Sequence, residues 1–356
     1  MKLGARMLKT GIAITLALYI TQLLNLPSPI FSAIAAIFAI QPTIYRSYLS
    51  VVEHVQGNII GALLAITFHL LFGSHILIVG LTAIIAIVIM VKLKLESSIR
   101  LALVTIIVIM EAPAEQFLYF ASLRTFGIFI GILSAFAVNL IFLPPKYETK
   151  LFQSISDVTE DIIKWIRLTT RFASEDQLLQ KDIGSIKKRI TQVNQLYSMY
   201  EEERRYFKKS DLAKLRKLVI YRQMIQVTQK SFDILKLQRK YENILHKLPE
   251  HLQTETRERL DSLLSYHEQL LLKYLGKVRQ EAELDDTLYG ETDRDRLRDL
   301  FLNEIRKSDP EDVFQPYHLM RILSAIIEYE EQLEQLDKLI GAFQTYHENE
   351  SQVDIG

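Results

Sequence analysis

The 356-residue chain contains no cysteine, so it has no disulfide, no thiolate nucleophile and no cysteine-ligated metal site. It also lacks a His-Glu-x-x-His pair, a phosphate-binding glycine loop and a Gly-x-Ser-x-Gly turn. Its eight histidines are scattered rather than grouped. We therefore expect a protein that is not an enzyme and that needs neither a cofactor nor a metal ion.

Charged residues are scarce in the first part of the chain. Residues 1–145 hold eight basic and four acidic side chains, whereas residues 146–356 hold 34 basic and 38 acidic ones. A membrane domain followed by a solvated domain explains this asymmetry better than one globular core does. The mixture of both signs in the second part makes a nucleic-acid partner unexpected.

Six apolar runs fill the first part, and none carries a charge at its centre, where a charge would cost at least about 2.5–3.5 kcal/mol in lipid. They span residues 10–24, 30–40, 57–72, 76–91, 99–110 and 125–143. The sequence therefore predicts an all-α protein. Its six-helix transmembrane domain covers residues 1–145, and a cytoplasmic helical bundle covers residues 146–356.

Lysine and arginine set the orientation of such a protein, because they collect on the cytoplasmic side. Basic residues precede the first run, separate runs two and three, separate runs four and five, and follow run six. Arg124 is the only basic residue in the other three connections. We expect a multi-pass protein of the plasma membrane with both termini in the cytoplasm.

The membrane half contains a weak repeat, in which residues 57–72 align with residues 127–142. The two segments share seven identities, including the Gly-x-x-x-Gly pairs Gly57/Gly61 and Gly127/Gly131. Such pairs let two helices approach closely in lipid. Each repeat holds three runs, so the second copy is inverted, and the sequence predicts a 3+3 inverted repeat.

Runs two and five are both short, and each ends at a polar residue and a proline. Inverted repeats with broken helices at matching places indicate the substrate path of a transporter. The alternative is that these are short helices with proline caps at the membrane surface. The candidate path residues at the two breaks are Gln41, Pro42, Thr43, Tyr45, Glu111 and Pro113.

His54 and Arg124 are equivalent in this alignment, and each lies just before a glycine pair. They are candidates to attract an anionic substrate. Arg124 has an alternative role as an interfacial anchor paired with Glu115 or Glu111. Glu111 has two interpretations, as a proton carrier or as an exposed carboxylate in a loop.

The last part of the chain predicts five or six helices. The clearest has apolar residues at 3-4-3-4-3-4-3 spacing, which is typical of a coiled-coil seam. This seam either packs inside its own domain or pairs two subunits. Its members are Leu319, Ile322, Ile326, Tyr329, Leu333, Leu336, Ile340 and Phe343.

Three segments resemble the aromatic acid exporter family, part of the fusaric acid resistance-like membrane proteins, and in particular its small Bacillus-type branch. These segments are residues 2–13, 35–47 and 56–62, and the second contains the Gln-Pro-Thr break. Arg124 ahead of the second glycine pair also fits the family pattern. The resemblance implies six spans with a helical C-terminal domain. It also implies a homo-oligomer, most simply a homodimer, because larger exporters of this group carry two membrane halves in one chain.

The leading hypothesis is a transporter that exports small organic, aromatic carboxylates across the lipid bilayer, driven by a proton gradient or by the membrane potential. A passive organic-anion channel is the alternative within the same class. A membrane-anchored scaffold, whose cytoplasmic helices bind a partner, is the alternative from a different class.

Overall fold

The structure is a computed structural model that describes residues 5–26, 29–41, 43–111, 117–141, 147–206, 212–277, 291–307 and 314–346. Within these ranges all regular structure is helical, which confirms the all-α prediction. The chain divides into two compact units, Met1–Pro145 and Lys146–Gly356.

Six helices form the first unit, and each predicted apolar run falls on one of them. They are α1 (Ala5–Leu23), α2 (Pro29–Ala39), α3 (Ile44–Phe72), α4 (Ile76–Lys92), α5 (Ile99–Met110) and α6 (Phe117–Ile141). A 3-10 turn, Glu96–Ser98, leads into α5. Helix α3 begins well before its apolar run, because the Thr43 side chain accepts a hydrogen bond from the Arg46 backbone N–H at 3.1 Å and caps the helix there.

The helices of the first unit differ in length. Tyr45–Phe72 and Ala121–Ile141 are long and apolar enough to cross a membrane, while Met7–Leu23, Pro29–Ala39 and Ile76–Lys92 are apolar but shorter. Helix α2 has 11 residues and α5 has 12. At about 1.5 Å per residue, α2 rises only about 16 Å, roughly half of the hydrocarbon thickness of a bilayer.

Equivalent helices follow one another at nearly the offset seen in the sequence. Helices α1, α2 and α3 begin at positions 5, 29 and 44, and α4, α5 and α6 begin at positions 76, 99 and 117. Helix α3 packs on α5, and α6 packs on α2. A Cβ atom at Gly61 would lie 2.7 Å from the Ala102 carbonyl oxygen and 3.1 Å from Thr105 Cβ. A Cβ atom at Gly131 would overlap the Ser32 carbonyl oxygen and lie 2.9 Å from Ala35 Cβ.

The two helix crossings are therefore related position by position. Gly131, Ser32 and Ala35 are the repeat equivalents of Gly61, Ala102 and Thr105. Because α3 of the first copy pairs with α5 of the second, and α6 of the second with α2 of the first, the two copies are interlocked.

One pair of glycines departs from this relation. A Cβ atom at Gly57 would lie 2.9 Å from the Ser98 carbonyl oxygen, so α3 and α5 are also in close contact one turn before Gly61. At Gly127 nothing lies within 4 Å of the same position among the described residues. The α6–α2 crossing is thus less tightly closed at this turn than the α3–α5 crossing.

Polar side chains join the helices of the first unit where glycine does not. Thr105 donates to the Asn58 side-chain oxygen at 2.6 Å, which links α5 to α3. Asn139 donates to the Ser47 hydroxyl at 2.6 Å and accepts from the Lys9 ammonium at 3.0 Å. Asn139 therefore connects α6 to both α3 and α1.

The second unit is a helical bundle with one contiguous apolar core. Its helices are α7 (Tyr147–Thr170), α8 (Asp176–Tyr206), α9 (Leu212–Lys240), the short α10 (Glu242–His246), α11 (Glu250–Tyr274), α12 (Glu291–Lys307) and α13 (Phe314–Tyr346). All eight members of the predicted seam are on α13 and are buried, and α13 packs on α9, α11 and α12. Of the two alternatives for the seam, the structure shows packing inside the unit.

Candidate functional site

A cleft of about 720 Å³ lies within the first unit, among α2, α3, α5 and α6. This volume is in the range of pockets that hold small organic molecules. One face of α2 and one face of α5 line it, in each case at positions i, i+3, i+4 and i+7 of the helix. The positions are 31, 34, 35 and 38 on α2, and 101, 104, 105 and 108 on α5.

The lining of the cleft follows the repeat. Twelve of its residues form six equivalent pairs: Phe31 with Leu101, Ile34 with Val104, Ala35 with Thr105, Phe38 with Val108, His54 with Arg124, and Asn58 with Ile128. The cleft therefore lies where the two copies of the repeat meet, and each copy supplies the same positions to it.

Arg124 on α6 is the only arginine among these paired lining residues, and it is only 4% exposed. Its Nη2 donates to the Val104 carbonyl oxygen at 3.4 Å, and its guanidinium carbon lies 4.2 Å from the centroid of the Phe31 ring. Its Nε and Nη1 are buried and have no hydrogen-bond partner in the part of the chain that the structure describes. A buried cation with two unpaired N–H groups favours a bound anion, because an unpaired buried charge is costly.

His54 on α3 is the equivalent of Arg124, and it is also 4% exposed. Its backbone carbonyl accepts a hydrogen bond from the Asn58 side chain at 2.7 Å. Neither ring nitrogen forms a hydrogen bond with another described residue, so the imidazole is free to bind a polar group in the cleft.

The predicted path residues are divided between the cleft and other places. Gln41, His54 and Arg124 line the cleft. Thr43 is buried as the cap of α3, and its carbonyl accepts a hydrogen bond from Asn139 at 3.2 Å. Tyr45 is half-buried on α3 outside the cleft lining.

The second predicted break does not contribute a described residue to the cleft. Glu111 is an exposed residue that caps the C-terminus of α5. It forms no ion pair with Arg124, and Glu115 lies outside the described residues, as do Pro42 and Pro113. Of the two interpretations of Glu111, the structure favours the exposed carboxylate.

Three of the four glycines predicted to pack helices do so, namely Gly57, Gly61 and Gly131, and Gly127 does not. The sequence reasoning missed most of the cleft, including Phe31, Phe38, Glu53 and Arg100. The signal that could have found the aromatic residues is the i, i+3, i+4, i+7 face of α2 combined with the repeat. Within the described residues there is no cluster of three or more metal-ligating side chains.

Comparisons with known proteins agree with this architecture. The sequence profile described as "Aromatic acid exporter family member 1" matches residues 1–142. The UPF0421 protein YgaE of Bacillus subtilis (strain 168) is 46% identical over 354 residues, which cover 99% of each chain. The UPF0421 protein OB2406 of Oceanobacillus iheyensis is 30% identical over 165 residues, which are 46% of this chain and 47% of that one.

A UPF0421 protein of Staphylococcus epidermidis is 30% identical over 220 residues, which are 60% of this chain and 66% of that one. The matched profile covers the helices that form the cleft, and the Bacillus relative also covers the second unit. The chain therefore belongs to the aromatic acid exporter family.

Proposed function

We propose that this protein exports small organic, aromatic carboxylates across the plasma membrane, and that Arg124 binds the substrate carboxylate in the cleft. Six helices of residues 1–145 cross the membrane, both termini face the cytoplasm, and residues 146–356 form a cytoplasmic domain. A proton gradient or the membrane potential drives export. The observation that carries the proposal is the buried guanidinium of Arg124, with two N–H groups unpaired among the described residues, in an otherwise largely apolar cleft.

The surface of the first unit supports its place in lipid. Leu70, Leu71, Phe72, Ile76 and Leu77 at the junction of α3 and α4 are 60–83% exposed. Further along α4, Leu81, Ile84, Val88 and Val91 are 46–61% exposed. Water-soluble proteins rarely expose such continuous apolar surface, whereas lipid covers it without cost.

The cleft offers both parts of the recognition that an aromatic carboxylate needs. The Nε and Nη1 groups of Arg124 can donate two hydrogen bonds to one carboxylate, which is the strong two-point geometry of arginine. Phe31 and Phe38 line the same cleft and offer edge or face contacts to an aromatic ring. The ring of Phe31 already packs against the guanidinium, so it also holds Arg124 in place.

The proposal is tested with the full chain in liposomes, by measuring the flux of radiolabelled benzoate and of the less permeant phthalate. We expect Arg124→Gln to reduce protein-dependent flux by at least about tenfold, since a charge-assisted hydrogen-bonded pair contributes roughly 1.5–3 kcal/mol. Arg124→Lys should retain part of the flux. The matched control is Lys92→Gln, which removes an exposed positive charge at the end of α4, outside the cleft.

Equal flux in wild type and Arg124→Gln would remove Arg124 from the path. The absence of any protein-dependent flux with either acid would overturn the substrate class. A carrier also accelerates labelled uptake when unlabelled substrate is present on the opposite side. Passive conduction instead gives a bilayer current that reverses at the anion equilibrium potential, and this outcome would establish the channel in place of the exporter.

The homodimer implied by family resemblance is part of the proposal, with the bilayer and the organic anion as the other partners. The seam of α13 is buried inside its own unit, so a second copy must bind at another surface.

A further inference from the structure

The cleft departs from the repeat at one end only. Five of its unpaired lining residues, Gln41, Ser50, Glu53, Ser97 and Arg100, lie at the end of α2, in the first turns of α3 and at the start of α5. The equivalents of Gln41, Glu53 and Arg100 are Glu111, Leu123 and Ile30. These three residues are described, and none of them lines the cleft.

The opposite end of the cleft is closed by Arg124. Its hydrogen bond to the Val104 carbonyl joins α6 to α5, and its contact with Phe31 joins α6 to α2. The equivalent hydrogen bond at the open end would join His54 to the Ile34 carbonyl, and it is not formed in the described part of the chain. The two ends of the same repeat are therefore in different conformations.

The helix crossings differ in the same way. Helices α3 and α5 are in close contact at Gly57, whereas the equivalent position on α6, Gly127, has nothing within 4 Å among the described residues. Since one sequence pattern adopts both arrangements, each copy of the repeat can adopt the conformation that the other shows. Inverted repeats that alternate in this manner move an opening from one side of a membrane to the other.

We propose that the protein alternates between this structure and a second state in which the two copies exchange conformations. In the second state α6 closes on α2 at Gly127, the Arg124 bond to Val104 is broken, and the cleft opens at the other end beside Leu123, Ile30 and Glu111. A substrate carboxylate favours the change, because it competes with the Val104 carbonyl for the same guanidinium. The inference rests on the proposed function and adds to it the residues of the second opening.

The absence of cysteine in the natural chain allows a direct test with single cysteines in the full chain, in sealed membranes. Glu53→Cys and Leu123→Cys are the equivalent pair, and a membrane-impermeant maleimide is applied from either side. We expect Glu53→Cys to react from one side and Leu123→Cys from the other. Saturating phthalate should change the two rates in opposite directions by at least about twofold, as a shift between two populated states requires.

Two controls fix the interpretation of the labelling. Ser74→Cys lies exposed in the connection between α3 and α4, on the side assigned to Leu123, and should react at a constant rate. Leu81→Cys lies on the exposed apolar face of α4 and should not react with a polar reagent. If Leu123→Cys stays unreactive while Ser74→Cys reacts, or if both rates change in the same direction, the alternation is wrong.

A second variant tests the exchange without a reporter. Gly127→Ala meets no atom within 4 Å in this structure, so it should fold normally, yet its methyl group would obstruct the closure of α6 on α2. We expect normal thermal stability, a flux reduced by about tenfold or more, and loss of Leu123→Cys labelling in the double variant. Wild-type flux in Gly127→Ala would overturn the exchange and leave the export function standing. No flux in the wild type would overturn the function while the labelling result still reports on the alternation.

Discussion

His267 and Tyr329 form a polar pair inside the core of the second unit. His267 on α11 is completely buried, and its Nδ1 lies 3.0 Å from the Tyr329 hydroxyl oxygen on α13. Burial lowers the pKa of His267 to about 3 and raises the pKa of Tyr329 well above its usual value. Both groups are therefore neutral in the folded protein at physiological pH.

This pair predicts a loss of stability in mild acid. Between pH 6.5 and about 3 the unfolded chain binds a proton at His267 that the folded chain does not bind. The contribution to stability is thus intact above pH 6.5 and falls by up to about 1.4 kcal/mol for each pH unit below it. We expect His267→Asn to unfold with a shallower pH dependence than wild type between pH 6.5 and 4.

Trp165 provides the measurement, because it is the only tryptophan in the chain and lies on α7 in the same unit, where it donates to Asp182 at 3.1 Å. Denaturant unfolding followed by its fluorescence reports on the second unit. His251→Asn changes an exposed histidine on the same helix and serves as the matched control. An unchanged pH slope in His267→Asn would show that another group is responsible.

At the level of single residues, sequence reasoning identified His54 and Arg124 because the repeat makes them equivalent. It placed Thr43, Tyr45 and Glu111 on the path because they are polar and lie beside the proline breaks. In the structure Thr43 caps α3 and Glu111 caps α5, so their polarity serves the helix ends. A lone polar residue at a break does not distinguish a cap from a ligand group, whereas equivalence between two copies does.

The two glycine pairs give the sharpest prediction for the helices. Gly131→Ala places a methyl group against the Ser32 backbone and Ala35, whereas Gly127→Ala, one turn earlier on α6, meets open space. We expect Gly131→Ala to destabilise the first unit by roughly 1–3 kcal/mol, as overpacking usually does, and Gly127→Ala to be nearly neutral.

Thermal aggregation of the detergent-solubilised full chain, followed by size-exclusion chromatography, compares the two variants. Gly61→Ala should resemble Gly131→Ala, because its methyl group would lie 2.7 Å from the Ala102 carbonyl oxygen. Equal stability of Gly131→Ala and Gly127→Ala would contradict the close approach of α6 to α2.

Hydrophobic runs predicted the helices of the first unit well, because an unbroken apolar run has few other folds available to it. They did not predict the N-terminal part of α3, which precedes Gly57. Arg46, Glu53 and His54 interrupt the apolar pattern there, and such a pattern is typical of a connection. Part of this polar stretch lines the cleft, so the residues that make the helix hard to recognise are those that give the site its chemistry.

At the scale of the whole molecule, the two units have separate apolar cores. All members of the largest core lie between Tyr147 and Phe343, and the two smaller cores lie within the first unit. We therefore expect residues 146–356 to fold when expressed alone. Circular dichroism should show a mainly helical fragment with a cooperative unfolding transition, and size-exclusion chromatography should show a discrete species.

An aggregated or unstructured fragment would contradict this expectation and would mean that the second unit needs the first in order to fold. The division itself could be foreseen from the change in charge density near residue 145. The packing inside the second unit could not, because the spacing on α13 fits a seam within one chain and a seam between two chains equally well.

The shortness of α2 and α5 has an electrical consequence for the proposed exporter. A potential of 100 mV, negative inside, is worth about 2.3 kcal/mol for each elementary charge that crosses it. If water reaches both ends of an 11-residue helix, that voltage falls over about 16 Å, and the local field is roughly twice the average across the bilayer. A monovalent anion passing Arg124 on its way out would experience the whole drop, which corresponds to an outward concentration ratio of about fiftyfold.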